Sequence, residues 1–431
     1  MNNCSRFPPG FPRSGAPLGR SAPTPPFRAG FWGLLLAVGL GAAGTPEGRT
    51  ADREFPRFDP HVLGVWGRRL GQTALADLDR DGDLDWVVGE SGTMSWFEFR
   101  GPDEWVRHEL GRGAQTDVGG TVLDVNGDGW PDVVAGNGWY ENRRKPRRKT
   151  FKFHPNGVIR CHDELVADVD GDGKPDVVAC GNAPAHCRVA WYAIPPDPRQ
   201  PWVEHVVGPG IHGGVAPAGV GDLDGDGDAD IVRGDVWFEN LSGDGLHWRE
   251  HPGLIPPGGN RGGPFGLARQ SWVLDLDRDG DADLIQTESD LEDGRVFWFE
   301  NRGRGTAWRC HLISRAATGQ DFHSLAVADF DHDGDPDVFS GGGPLTRTLR
   351  GCFIWENADG RGGRWIRHTL LTGARCHEAR AADVDGDGDV DLCTKPWEGS
   401  RHLFLENLLI PRRRSWDSFE EGGDSSLPVR W

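Results

Sequence analysis

The sequence predicts an all-β protein, a seven-bladed β-propeller of four-stranded blades with calcium loops between strands 1 and 2. Three observations predict it. A nine-residue acidic motif occurs seven times, two aromatic motifs share its period, and the order of the three leaves the last blade one strand short. A repeat near 50 residues marks a radial or stacked architecture, and four short strands per repeat favour the radial one.

The acidic motif reads D-x-[DN]-x-D-G-x-x-D. Its copies begin at Asp77, Asp124, Asp168, Asp222, Asp275, Asp329 and Asp383, at intervals of 47, 44, 54, 53, 54 and 54 residues. Oxygen-bearing side chains stand at positions 1, 3, 5 and 9. These are Asp77, Asp79, Asp81 and Asp85; Asp124, Asn126, Asp128 and Asp132; Asp168, Asp170, Asp172 and Asp176; and Asp222, Asp224, Asp226 and Asp230. The remaining copies supply Asp275, Asp277, Asp279 and Asp283; Asp329, Asp331, Asp333 and Asp337; and Asp383, Asp385, Asp387 and Asp391. Carboxylates this close repel one another unless a hard cation sits among them. Calcium takes six to eight oxygens in flexible geometry, whereas magnesium demands a tighter octahedron with retained waters. Up to seven Ca2+ are therefore the expected cofactors. The loop is not an EF-hand: Val88, Ala135 and Ala179 occupy the twelfth position where a Glu would close the site, and short apolar strands flank it.

Within one repeat the first strand is small and apolar, as in Leu325-Ala326-Val327-Ala328, which suits the crowded axis. The acidic loop turns into the second strand. Trp-Phe-Glu-Asn segments such as Trp237-Phe238-Glu239-Asn240 form the third, and Trp-x-x-His segments such as Trp248 to His251 form the fourth. Phe58-x-x-His61 precedes the first acidic loop, and no equivalent follows Glu406-Asn407. The seventh blade should therefore take its outer strand from the N-terminal side, covering edges that would otherwise invite pairing.

The formal net charge is −19. Seven divalent ions would bring it to about −5, so the acidity is mostly a ligand inventory, and it argues against nucleic acid as a partner. Residues 1–44 read as a signal peptide: Arg6, Arg13, Arg20 and Arg28 precede the apolar run Phe31 to Leu40, followed by small residues. That run is short for a membrane span, so no span is expected after cleavage, and the expected location is secreted, periplasmic or cell-surface. Residues 45–57 form a polar leader, 58–410 the propeller and 411–431 a flexible tail. Of eight Cys, Cys180 and Cys187 are spaced to close a local loop, and the connectivity stays open.

The repeat also separates scaffold from site. Seven His, at 61, 108, 154, 205, 251, 311 and 368, recur in the fourth-strand motif and should serve the blades. The irregular ones are informative. Six residues before each acidic loop stand Gly71, Val118, His162, Ala216, Arg269, His323 and His377. Six strand residues span roughly 20 Å, which puts these side chains at the channel mouth opposite the acidic loops. Asp163, Asp321 and Glu378 lie beside them. His186, Glu288 and His212 reach the same face from loops. Converging imidazole and carboxylate can hold a zinc or other divalent ion or place a general base. His162, His323 and His377 meeting within about 2.0–2.1 Å of one point would mark such a metal site. Arg269 should favour an anionic ligand group. The Gly-rich insertion 255–263 reads as a flap over this face or as a merely tolerated insertion, and the basic run 143–149 reads as a solvated loop.

The acidic loop, the period and the Trp-Phe-Glu-Asn segment resemble FG-GAP/VCBS repeats, as in the heads of integrin α subunits. The resemblance covers about 58–407 and implies a propeller with its calcium loops on one face. The propeller is also similar to that of aldos-2-ulose dehydratases, which implies a metal-dependent sugar dehydratase or lyase with His162, His323, His377 and Glu378 as candidate catalytic residues. No room remains for the cupin domains of those enzymes. Three readings follow: a secreted calcium-binding propeller that takes a carbohydrate or extracellular protein at its channel face, the dehydratase, and an adhesion scaffold. The fold alone does not choose among them, and whether the chain is an enzyme stays open at this point.

Overall fold

The computed structural model describes residues 54–411, apart from 91, 115–118, 182–186, 316–318 and 348–350. The signal segment, nearly all of the tail, Val118 and His186 lie outside the described residues.

The described residues form seven sheets, antiparallel throughout except for one short parallel pair in blade five. Blade one is Leu70–Ala76, Asp85–Glu90, Thr93–Gly101 and Glu104–Arg112. Blade two is Thr121–Leu123, Asp132–Ala135, Gly138–Glu141 and Lys152–Pro155. Blade three is Asp163–Ala167, Asp176–Cys180, Arg188–Ala193 and Val203–Pro209. Blade four is Val220–Gly221, Asp230–Arg233, Val236–Asn240 and Trp248–Pro252. Blade five is Arg269–Leu274, Asp283–Glu288, Val296–Asn301 and Trp308–Ser314. Blade six is Ala326–Ala328, Asp337–Gly341, Gly351–Asn357 and Trp365–Thr372. Blade seven takes Glu378–Ala382, Asp391–Lys395 and Arg401–Asn407 from the C-terminal side and Phe58–Val65 from the N-terminal side. That last strand pairs antiparallel with Arg401–Asn407, Phe58 opposite Asn407 and Val65 opposite Arg401. The ring closes as the motif order requires.

One blade departs from four strands. Pro217–Ala218 leaves blade four and pairs in parallel with Ser271 and Trp272 of blade five, giving that sheet a fifth, innermost strand. The inner strand of blade four is thereby cut to Val220–Gly221.

Blades one to five bury a third-strand Trp against the fourth-strand His, whereas in blade six Ile354 faces His368, which stacks on Phe55 instead. Trp96 stacks on His108 at 4.4 Å between ring centroids, Trp191 on His205 at 4.2 Å and Trp237 on His251 at 4.2 Å. The imidazole Nε2 then bonds the third-strand Glu: His108 to Glu98, His154 to Glu141, His251 to Glu239, His311 to Glu300 and His368 to Glu356, at 2.6–2.8 Å. A Trp-His-Glu stack is thus a unit of blade structure, and these His are scaffold.

Neighbouring blades are stitched at two fixed points. The third-strand Asn donates to the backbone of the preceding blade's acidic loop: Asn142 to Leu78, Asn240 to Val169, Asn301 to Leu223 and Asn407 to Phe330. The third-strand Trp of one blade and the fourth-strand Trp of the next share one carbonyl. Gly245 O accepts from Trp191 and Trp248, and Gly362 O from Trp298 and Trp365. A disulfide, Cys352–Cys376, adds a covalent link between the third strand of blade six and the entry to blade seven. Cys180 is a buried free thiol, so the loop closure suggested by its spacing from Cys187 is not made.

Candidate functional site

The two ends of the ring differ. One end carries the seven acidic loops in register. In every loop the first Asp accepts the backbone N–H of the motif Gly, from Gly129 to Asp124 at 2.7 Å up to Gly82 to Asp77 at 3.1 Å. That turn needs φ between +81° and +107° at the seven Gly, the left-handed region a Cβ disfavours. The ninth-position Asp accepts the N–H of position 2 and, in six blades, a third-strand N–H: Asp283 takes Leu276 at 3.0 Å and Asn301 at 2.8 Å. In blade three the described partner of Asp176 is Val169 alone.

These carboxylates fit a hard cation. Ligand atoms of positions 1, 3 and 9 lie within 4.8 Å of one another in blades one, three and four. Burial and mutual repulsion push Asp132 up to about 8, Asp230 and Asp283 to about 7, and Asp391 to about 9. Asp383 Oδ1 is buried with no hydrogen-bond partner. A bound calcium would remove both costs at once.

Blade one is unusual at this end. Arg147, from the basic run, places its Nε 2.7 Å from Asp79 Oδ2 and 2.5 Å from Glu98 Oε1, and its terminal nitrogen bonds Asp81. Arg144 pairs with Asp128 at 3.1 Å. The basic run is therefore engaged with the acidic loops of blades one and two, not merely solvated.

The opposite end carries the irregular polar residues. His162, His323 and His377 all lie there, buried, at the entries of blades three, six and seven. They do not converge on one point. His323 and His377 stack face to face, centroids 3.8 Å apart, and His377 Nδ1 is taken by the buried Lys395 ammonium at 3.0 Å. Glu378 is occupied by Arg380 at 2.7 Å, with Lys395 3.5 Å away.

The residue that gathers the imidazoles is Asp290, absent from the sequence expectation. It sits just past the second strand of blade five, at φ 53°. Its Oδ2 is 3.3 Å from His212 Nε2 and 3.6 Å from His323 Nε2. The His162 ring lies 4.3 Å from that of His212, and its Nδ1 bonds Asp163 at 2.6 Å. Asp163 in turn accepts the N–H groups of Val215 and Ala216, both at 2.9 Å. Despite burial, His323 and His212 hold Asp290 far below the usual carboxylate range. Burial would lower His323, yet Asp290 and Asp321 lift it to about 9. Burial, then the charges of His323 and Lys395, keeps His377 neutral. Asp321 is raised to about 7 by burial, against the attraction of His323.

Two expected site residues are structural. Arg269 is sealed between blades four and five, donating to Gly234 O at 2.9 Å, Leu254 O at 3.1 Å, Gln286 at 2.9 Å and Asn260 at 2.6 Å. No anion can approach a guanidinium with those four partners at zero exposure. Glu288 is clasped by Arg295, Nε at 2.9 Å and Nη2 at 2.5 Å, and by Arg261. These same arginines tie down 255–263: Arg295 donates to Gly259 O at 2.9 Å and to Pro257 O. The insertion is a strap rather than a flap. A cleft of about 430 Å³, lined by Trp237, His251, Leu254 and Trp308, lies on the outer side between blades four and five. It is made of scaffold residues and shares none with the His cluster.

Fold and loops together define a closed seven-bladed propeller with an acidic, glycine-turned loop in each blade. The repeats are FG-GAP-like: the family model of that description matches residues 77–135, 168–232 and 275–340. No curated protein matches the chain. Among solved structures, an Agrocybe aegerita lectin described as recognising non-reducing terminal N-acetylglucosamine is 20% identical, over 70% of this chain and 80% of the lectin, at a TM-score of 0.48. A putative gluconolactonase is 9% identical, over 81% of this chain and 92% of its own, at 0.39. At these values neither likeness bears on function.

Proposed function

We propose that the protein is an exported, calcium-stabilised propeller that binds a carbohydrate or an extracellular protein at its channel face. The observation that carries this reading is the asymmetry of the ring. Buried ionisable groups, among them His162, Asp163, Asp290, Asp321, His323 and His377, crowd the end opposite the acidic loops, where periodic scaffold duties do not call for them. Phe265 favours a sugar over a protein: its ring is 58% exposed and stacks on His212 at 4.9 Å. An exposed ring beside hydrogen-bonding groups gives a pyranose one apolar face and several polar ones. The Cys352–Cys376 link supports an oxidising compartment. Among the described residues no helix is long and apolar enough to cross a membrane.

A glycan array with the calcium-loaded protein tests the reading. Selective binding should appear and should fall at least tenfold in Phe265→Ala. An array without hits, together with no captured extracellular protein, would reject it.

One observation favours a second reading, a metal-dependent sugar dehydratase. Asp321, raised to about 7, is placed next to His323 as a general base near neutral pH would be. Incubation with 2-keto sugars, followed by ultraviolet absorbance of an enone product, tests it. No product at any pH between 5 and 9 would remove it.

A further inference from the structure

We propose that His162, His212, His323 and Asp290 form a transition-metal centre of the zinc type at the channel face, separate from the acidic loops. Ligand atoms of His162, His212 and Asp290 lie within 4.8 Å of one another. The two resolved edges at Asp290 Oδ2, 3.3 Å to His212 Nε2 and 3.6 Å to His323 Nε2, match those of a tetrahedron with bonds of about 2.0–2.1 Å, which are roughly 3.3 Å. Three imidazoles and one carboxylate suit zinc or its neighbours, not calcium.

The outer contacts are those of a ligating set. A metal-bound imidazole gives its second ring nitrogen to a carboxylate or a backbone carbonyl, which fixes its orientation. His162 Nδ1 meets Asp163 Oδ1, and His323 Nδ1 meets His377 O at 3.0 Å. Both rings therefore turn their Nε2 toward the centre. The backbone makes room for this. A Cβ on Gly213 would come within 3.1 Å of His162 Nδ1, and one on Gly263 within 1.7 Å of Asp290 O. His212 is the one partly exposed ligand, at 18% of its side chain, and it opens the centre toward Phe265. A ligand hydroxyl or carbonyl reaching the metal would arrive by that side. The proposal thus deepens the channel-face reading and rests on it only for the ligand.

Cobalt(II) is the probe. Protein stripped of metal and reloaded with excess calcium should take up one Co2+ per chain, with the visible absorption of a four- or five-coordinate site, displaced by equimolar Zn2+. Asp290→Asn and His162→Gln should each weaken Co2+ binding at least tenfold, while calcium content and thermal midpoint stay near wild type. Binding below about a fifth of an equivalent would overturn the centre, as would both variants retaining wild-type affinity. If a variant unfolds, His212→Gln, on the exposed side, supplies the same comparison. Cobalt uptake without any glycan or protein binding would sink the ligand reading and leave the centre standing.

Discussion

Trp86 donates its indole N–H to His402 Nδ1 at 3.3 Å, joining the second strand of blade one to the third strand of blade seven. His402 Nε2 in turn donates to Trp66 O at 3.1 Å. Accepting at one nitrogen and donating at the other requires a neutral imidazole. Burial holds it so, pushing the group down to about 4, with the Lys395 charge acting in the same direction. The closing seam of the ring therefore depends on an uncharged histidine.

The sign of the pH effect follows. Unfolded, His402 takes up a proton near 6.5; folded, it resists until about 4. Its contribution is complete above the unfolded value and is lost as pH falls from 6.5 to 4, about 3 kcal/mol in all. His402→Gln can keep both hydrogen bonds without titrating. In saturating calcium, the loss of stability between pH 7 and 4 should be smaller in this variant by about that amount. Identical pH profiles from urea unfolding would show that the seam does not titrate.

The Asn stitches predict a graded series. Asn301 donates to Leu223 O at 2.7 Å and to Ala282 O at 3.0 Å, and accepts Gly305 N–H at 2.8 Å, the first and last of these buried. Asn357 accepts Gly362 N–H at 2.9 Å, but its Nδ2 has no partner. Asn301→Ala should cost about 3 kcal/mol and Asn357→Ala about 1. Equal losses by denaturant titration would mean that the inter-blade bond contributes nothing of its own.

Arg147 would compete with a cation in the acidic loop of blade one. Its guanidinium contacts Asp79 and Asp81, two of the four carboxylates that a calcium there would use, and the neighbouring Glu98. Arg147→Ala should tighten the weakest calcium-binding event seen by titration calorimetry and leave the other six unchanged. A calorimetric curve unaltered by the substitution would place the guanidinium outside the loop's chemistry.

The ring was legible because each of its parts leaves a periodic mark. Asp at 1, 3, 5 and 9 with Gly at 6 sets the turns, and Phe58-x-x-His61 ahead of the first loop tells how the circle closes. The His cluster was legible only as a location. Counting six residues back from Asp168, Asp329 and Asp383 finds the correct end of the strand, yet carries no information on side-chain direction, so the stacking of His323 on His377 was out of reach. Arg269 was misread for the same reason: its partners Gln286 and Asn260 come from a neighbouring strand and from an insertion without periodicity. Asp290 and Lys395 leave no mark at all. One is a left-handed loop residue, the other a buried amine at a strand end, and each acquires meaning only from what packs against it. The extra strand Pro217–Ala218 is likewise a matter of tertiary pairing.

Calcium bound per chain, measured by elemental analysis after gel filtration in calcium buffer and paired with the melting temperature before and after chelation, tests the account at its centre. At least five ions are expected, with a fall of more than about 10 °C on their removal, since each loop held at a hundredfold excess over its Kd contributes about 2.7 kcal/mol. One ion or none, with an unchanged melting temperature, would contradict it.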